Sequence, residues 1–142
     1  MTTFYADEVA GLGTIPTTKS NGAVHNARLR RFRATVQFDG QTTTDTIVLA
    51  RVPAGYAFAY GVTSASATAG ASATLAIGIT GATGKYRAAA VHTTTAPTLF
   101  GLAAAIDDVP LAAEEEIFIT IAVAALPTSA DFMVVDLYFS GP

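Results

Sequence analysis

Wherever apolar residues recur with a clear period in this chain, they recur at every second position, and no stretch carries the spacing of an amphipathic helix. Phe32, Ala34, Val36 and Phe38 alternate with Arg31, Arg33, Thr35 and Gln37, and Asp39-Gly40 closes the run. Residues 45–52 (DTIVLARV) form a second β-branched run, stopped by Pro53-Ala54-Gly55. Tyr56, Phe58, Tyr60 and Val62 then alternate with Ala57, Ala59 and Gly61, which predicts one shared face for the four larger side chains. Leu75, Ile77 and Ile79 repeat the pattern, residues 85–92 repeat it more weakly, and Ile117, Ile119, Ile121 and Val123 give its clearest form. Residues 132–139 are apolar on both faces, as expected of a strand that is central or at an interface. Residues 99–106, after the Ala96-Pro97 break, read as a short strand or a helical turn. Seven or eight short strands with turn residues between them predict an all-β sandwich or barrel, with a jelly roll as the first choice.

Length and composition narrow the options further. At 142 residues the chain has room for one domain. Residues 1–27 show no sustained period and hold Gly11, Gly13, Pro16 and Gly22, so they read as an extended N-terminal arm ahead of a single β-sandwich domain, residues 28–142. Stretched out, such an arm reaches about 85 Å, and Phe4 and Tyr5 are the side chains suited to anchor its tip. The opening MTTFYADEVAG has neither the basic nor the apolar region of a secretory signal. The long charge-free stretch between Arg51 and Lys85 is broken by glycine, serine and threonine too often to span a membrane. With no cysteine, disulfides, thiolate catalysis and thiolate metal sites are all excluded.

Charge is scarce and uneven. Only 13% of residues are charged, about half the share of an ordinary soluble domain. Residues 1–33 carry five bases against two acids, and the remainder carries nine acids against three bases. The cluster Arg28, Arg30, Arg31 and Arg33 reads either as the solvated face of a strand or as a docking surface for an acidic protein. Nucleic acid fits it less well, because no Tyr or Trp is interleaved and the domain is acidic overall. A chain this poor in charge presents long neutral faces of Ala, Thr, Val and Gly, which suit subunit contacts.

Candidates for chemistry are few. His25 and His92 have no partner at catalytic spacing, and no serine sits in a G-x-S-x-G elbow. Asp107, Asp108, Glu114, Glu115 and Glu116 would offer oxygen ligands to a cation, but they lack EF-hand spacing and read as a solvated hairpin end guarding a sheet edge. Residues 81–85 (GATGK) imitate a phosphate loop, yet the glycine spacing is short and Tyr86 stands where Ser or Thr is required, so the segment reads as a turn. No cofactor is expected, and neither catalytic nor metal-binding residues are assigned.

Several strand-and-turn patterns coincide with a known group. Residues 33–38 read RATVQF, residues 45–55 DTIVLARVPAG, residues 74–78 TLAIG, residues 84–89 GKYRAA and residues 117–124 IFITIAVA. Over about two-thirds of its length the chain thereby resembles the head decoration, or cement, proteins of tailed bacteriophages. The resemblance implies a β-sandwich or jelly-roll subunit on the outer surface of a virion, bound to the major capsid protein. It further implies a homo-oligomer, often a trimer, that bridges capsomers and has no enzymatic activity, no nucleic-acid partner and no membrane partner. Phe4, Tyr5, Arg28, Arg30, Arg31 and Arg33 are then the expected capsid or subunit contacts. A phage tail or fibre component, or a host-binding β module, is the alternative.

Overall fold

The computed structural model describes residues 25–141, which form eight strands and no α-helix. The strands are β1 (Arg28–Asp39), β2 (Thr46–Val52), β3 (Ala57–Ala65), β4 (Thr74–Ile79), β5 (Ala82–Val91), β6 (Thr98–Phe100), β7 (Glu115–Ala122) and β8 (Thr128–Gly141). They build two four-stranded antiparallel sheets, β1-β8-β3-β6 and β2-β7-β4-β5. Strand pairing is nested: β1 with β8, β2 with β7, β3 with β6, β4 with β5. Successive strands therefore alternate in direction, and the chain enters at the same end of the sandwich as the loops before β3 and β7.

Period-two patterning decides what lies between the sheets. Met133, Val135, Leu137 and Phe139 of β8 face inward against Ile117, Ile119 and Ile121 of β7 and Leu75 and Ile77 of β4, all almost fully buried. Burying each such side chain stabilises the fold by about 1.5–3 kcal/mol. Of the two places expected for the strand that is apolar on both faces, central or at an interface, it takes the central one: β8 lies between β1 and β3. In β1, Ala34, Val36 and Phe38 face the core while Arg33, Thr35 and Gln37 face solvent, as the alternation predicts.

Strand β3 departs from the pattern. Its register on β8 shifts between Phe58 and Tyr60, so Phe58 lies opposite Phe139 and Tyr60 opposite Tyr138. The extra residue, Ala59, reverses the alternation. Phe58 is buried and packs on Phe139 at 5.2 Å, whereas Tyr60 points outward and stacks on Tyr138 at 4.7 Å. The shared face expected for Phe58 and Tyr60 is thus split between core and solvent. Beyond the bulge Thr63 is buried and Val62 turns outward opposite Asp136.

Residues 99–106 resolve into both expected forms. Thr98–Phe100 is the edge strand β6, and a single turn follows in which the Ile106 amide donates to the Leu102 carbonyl at 3.1 Å. Residues 66–73, within the alanine- and serine-rich stretch, form the loop before β4. The phosphate-loop lookalike contributes only the Gly81 end of the β4–β5 turn, with φ +82°, and its remaining residues belong to β5.

Gly78 in β4 lies against the backbone of this hairpin: a Cβ there would collide with the Ala82 carbonyl oxygen and with Thr83. Gly78→Ala is therefore expected to destabilise the protein by about 1–3 kcal/mol through overpacking against main chain that cannot rotate away. The shift in urea midpoint measures it.

Candidate functional site

With no catalytic constellation expected, the surfaces are where function is sought. Arg28, Arg30, Arg31 and Arg33 occupy the first half of β1, which extends four residues earlier than the apolar alternation alone implies. Phe4 and Tyr5 lie outside the described residues. Arg33 crosses to β8 and grips Asp136 with two hydrogen bonds of 2.8 Å, from Nε to Oδ1 and from Nη2 to Oδ2. That fork holds the Asp136 carboxyl below its ordinary pKa, against the opposing effect of burial, with Arg31 adding to the lowering. Arg28, Arg30 and Arg31 are exposed and have no ion pair among the described residues.

The outer face of the β1-β8-β3-β6 sheet follows from this register. Arg31, Tyr138 and Tyr60 form one row, and Arg33, Asp136, Val62 and Leu99 form the next. Leu99 is 72% exposed, and Phe132 lies further along β8 on the same face. An open apolar groove of about 560 Å³ runs beside β6, lined by Tyr60, Leu99, Phe100, Gly101 and Ile106. Tyrosine and arginine are residue types enriched where proteins meet.

The opposite outer face is uncharged over most of its area. Thr46 and Thr120 lie beside Ala76, Val48 and Phe118 beside Gly78, and Ala122 beside Thr74. An exposed pair, Arg51–Glu116 at 2.6 Å, marks one end. The neutral face of small side chains that the composition leads one to expect is found only in part, since Val48 and Phe118 are large and Ala76 and Gly78 are buried.

The acidic residues do not converge. Glu115 is the half-buried partner of two groups on β5: it accepts from Lys85 Nζ at 2.5 Å and from the Tyr86 hydroxyl at 2.5 Å. Burial, and then Glu115 itself, push the Tyr86 hydroxyl pKa upward, so it stays a donor. The reach is possible because β5 bows: it takes five steps, Ala82 to Arg87, where β4 takes two, Ile79 to Ile77. Glu116 turns to Arg51, Glu114 is exposed, and Asp107 accepts the Val109 amide at 3.0 Å. No group of three or more His, Asp or Glu that would hold a metal exists among the described residues. Asp107, Asp108, Glu114 and Glu116 are exposed, as a solvated end requires, but the expected guarding of a sheet edge is corrected, since β7 is an inner strand and Glu115 serves the buried Tyr86 hydroxyl.

The histidines sit at opposite ends of the sandwich. His25 precedes β1, and His92 follows β5, buried, with its pKa lowered by desolvation and by Arg87. What sequence reasoning missed are the Tyr60–Tyr138 pair, hidden by the bulge, and the Glu115 and Asp136 pairings. For Asp136 a signal existed, because a lone carboxylate in an apolar strand requires a base across the ladder.

No protein-family model and no curated protein matches the chain. In fold it is similar to chains from three phage capsids. One is from the cyanophage Pam1 capsid asymmetric unit, at 20% identity and TM-score 0.62, covering 82% of this chain and 86% of that one. Another is from the capsid of Ralstonia phage GP4, at 14% identity and TM-score 0.63, covering 95% and 96%. The third is from an acidic stable capsid of Helicobacter pylori bacteriophage KHP30, at 9% identity and TM-score 0.52, covering 80% and 88%. At these identities the likeness establishes the fold. Coverage is nearly equal in both directions, so the matched chains are about as long as this one.

Two outcomes follow from the ion pairs. Glu115→Ala is expected to cost about 1–3 kcal/mol, because it strands the Tyr86 hydroxyl in the core, whereas Glu116→Ala costs about 0–1 kcal/mol as an exposed pair; chemical denaturation separates them. Asp136→Asn removes a carboxylate whose folded-state pKa is depressed. Its stabilising effect is present at neutral pH and lost as pH falls through that depressed value, so the gap between wild type and variant narrows below about pH 4. Urea midpoints from pH 7 to pH 3 measure the narrowing.

Proposed function

We propose that this chain is a structural subunit of a phage virion: a capsid decoration or cement protein on the outer surface of the head, bridging capsomers and stabilising the shell. The observation that carries the reading is the match in fold, over 80–95% of this chain and 86–96% of the others, to chains from three phage capsids. A chain of this size folds as one compact sandwich, which suits an accessory subunit set onto a lattice. The nested pairing of strands supports the jelly-roll form of that sandwich.

The surfaces favour the same role. An uncharged face carrying Val48 and Phe118 and an aromatic face edged by arginine provide two contact areas on opposite sides, which is what a subunit bridging neighbours needs. The major capsid protein is the partner in this reading, and a closed homo-oligomer such as a trimer is the form it takes on the shell. Arg28, Arg30, Arg31 and Arg33, with Phe4 and Tyr5 of the arm, serve as contact residues. The role is mechanical and assigns the chain no reaction.

Copy number tests the proposal. Quantitative mass spectrometry of purified particles is expected to find this chain at a ratio to the major capsid protein near one, or at a simple fraction such as one-third. A handful of copies per particle would move the chain to the tail or a single vertex, and its absence from particles would overturn the reading.

A further inference from the structure

We propose that the outer edge of β1 receives an added strand, the acidic N-terminal segment, residues 2–9, of a second copy of this chain. The four sheet edges differ in their fitness for strand addition. β6 has three residues. β2 is short and breaks register between Val48 and Ala50, and β5 breaks register twice against β4. β1 is the longest of the four, with twelve residues spanning about 40 Å, and it holds unbroken register with β8 from Arg28 to Gln37. It contains no proline, and its other edge pairs with no strand among the described residues. Such an edge is a template for an extended segment.

Charge selects the occupant. Arg33 is neutralised by Asp136, but Arg28, Arg30 and Arg31 have no acid partner among the described residues. Charges on an edge strand ordinarily guard it; three uncompensated charges of one sign guard it against a second β1, and favour an acidic strand. Ahead of β1 the chain has only two acids, Asp7 and Glu8, adjacent to each other and preceded by Thr2, Thr3, Phe4 and Tyr5, all of strand-forming or strand-tolerant type. Adjacent residues in a strand point to opposite faces, so Asp7 and Glu8 match the adjacent Arg31 and Arg30. In the antiparallel register that sets Asp7 opposite Arg31 and Glu8 opposite Arg30, Phe4 falls opposite the half-buried, core-facing Ala34, and Thr3 opposite Thr35. One register thus satisfies both charges and places the apolar anchor on the apolar side.

Length points to a second copy. Eighteen residues separate the segment from β1, where a tight hairpin uses two to five, and a connection of that length can carry the segment to the β1 edge of a neighbouring copy. Extended, they reach about 60 Å, more than the length of β1 itself. This inference goes beyond the virion reading and requires only that copies meet, so its failure would leave the copy number in particles unchanged.

The absence of native cysteine makes the test direct. Full-length protein carrying both Thr3→Cys and Thr35→Cys, which keeps every charge, is oxidised and run under non-reducing conditions. Covalent dimers and higher oligomers are expected, and a mixture of the two single variants is expected to give a heterodimer exceeding the homodimer of either alone. In parallel, Asp7→Lys/Glu8→Lys and Arg30→Glu/Arg31→Glu should each lower the oligomeric state in sedimentation, with unfolding temperature unchanged for the folded domain, and combining the two pairs should restore it. Intramolecular closure of the double-cysteine monomer would overturn the assignment to a second copy. Absence of any bridge, or charge reversal without effect, would overturn strand addition itself.

Discussion

Phe139 is the side chain on which the two sheets meet. It sits on the central strand β8, fully buried, with the rings of Phe32 at 5.8 Å, Phe58 at 5.2 Å and Tyr86 at 6.0 Å around it. Three of these rings belong to one sheet and the fourth, Tyr86, to the other, so this cluster joins the layers edge to face. Tyr86 carries the constraint outward. Its hydroxyl must be satisfied, Glu115 satisfies it, and Lys85 balances Glu115, so the polar end of the sandwich is organised by what the aromatic core demands.

Register irregularities convert this core into two dissimilar outer surfaces. The bulge at Ala59 sends Phe58 inward and Tyr60 outward, creating an aromatic face where strict alternation would have left alanine and glycine. The bow in β5 does the converse, bringing a tyrosine into the core from an edge strand. In the other sheet the inner strands, β4 and β7, hold their mutual register throughout, and the residues they pair on the outer side, Thr74 with Ala122, Ala76 with Thr120 and Gly78 with Phe118, are uncharged. A sandwich with one neutral and one aromatic, arginine-edged face is suited to being held between neighbours, and the proposed virion role uses both.

Most strands were legible because each carries a strong local signal. β7 alternates isoleucine with polar residues, and Pro53-Ala54-Gly55 and Asp39-Gly40 mark turns by their backbone preferences. The candidate surface was legible in part. The arginine cluster was visible as a charge run, and Arg33 proved to be committed to Asp136, one hundred and three positions away. The acid triplet misled because three adjacent carboxylates look alike in sequence, while in the fold each has a different environment: Glu115 under Tyr86, Glu116 beside Arg51, Glu114 in solvent.

The chain's own pattern of residues thus suffices to say that it is all-β, that its core is aliphatic and aromatic, that it has no thiol chemistry and that it is poor in charge. These depend on composition and on neighbours two positions apart, which any strand must obey. Which strands share a sheet, which aromatic faces the core and which carboxylate meets which base emerge only when the chain is folded. Those outcomes rest on single inserted residues, such as Ala59, that reverse side-chain direction, and on contacts between positions far apart in sequence, where no local periodicity leaves a trace.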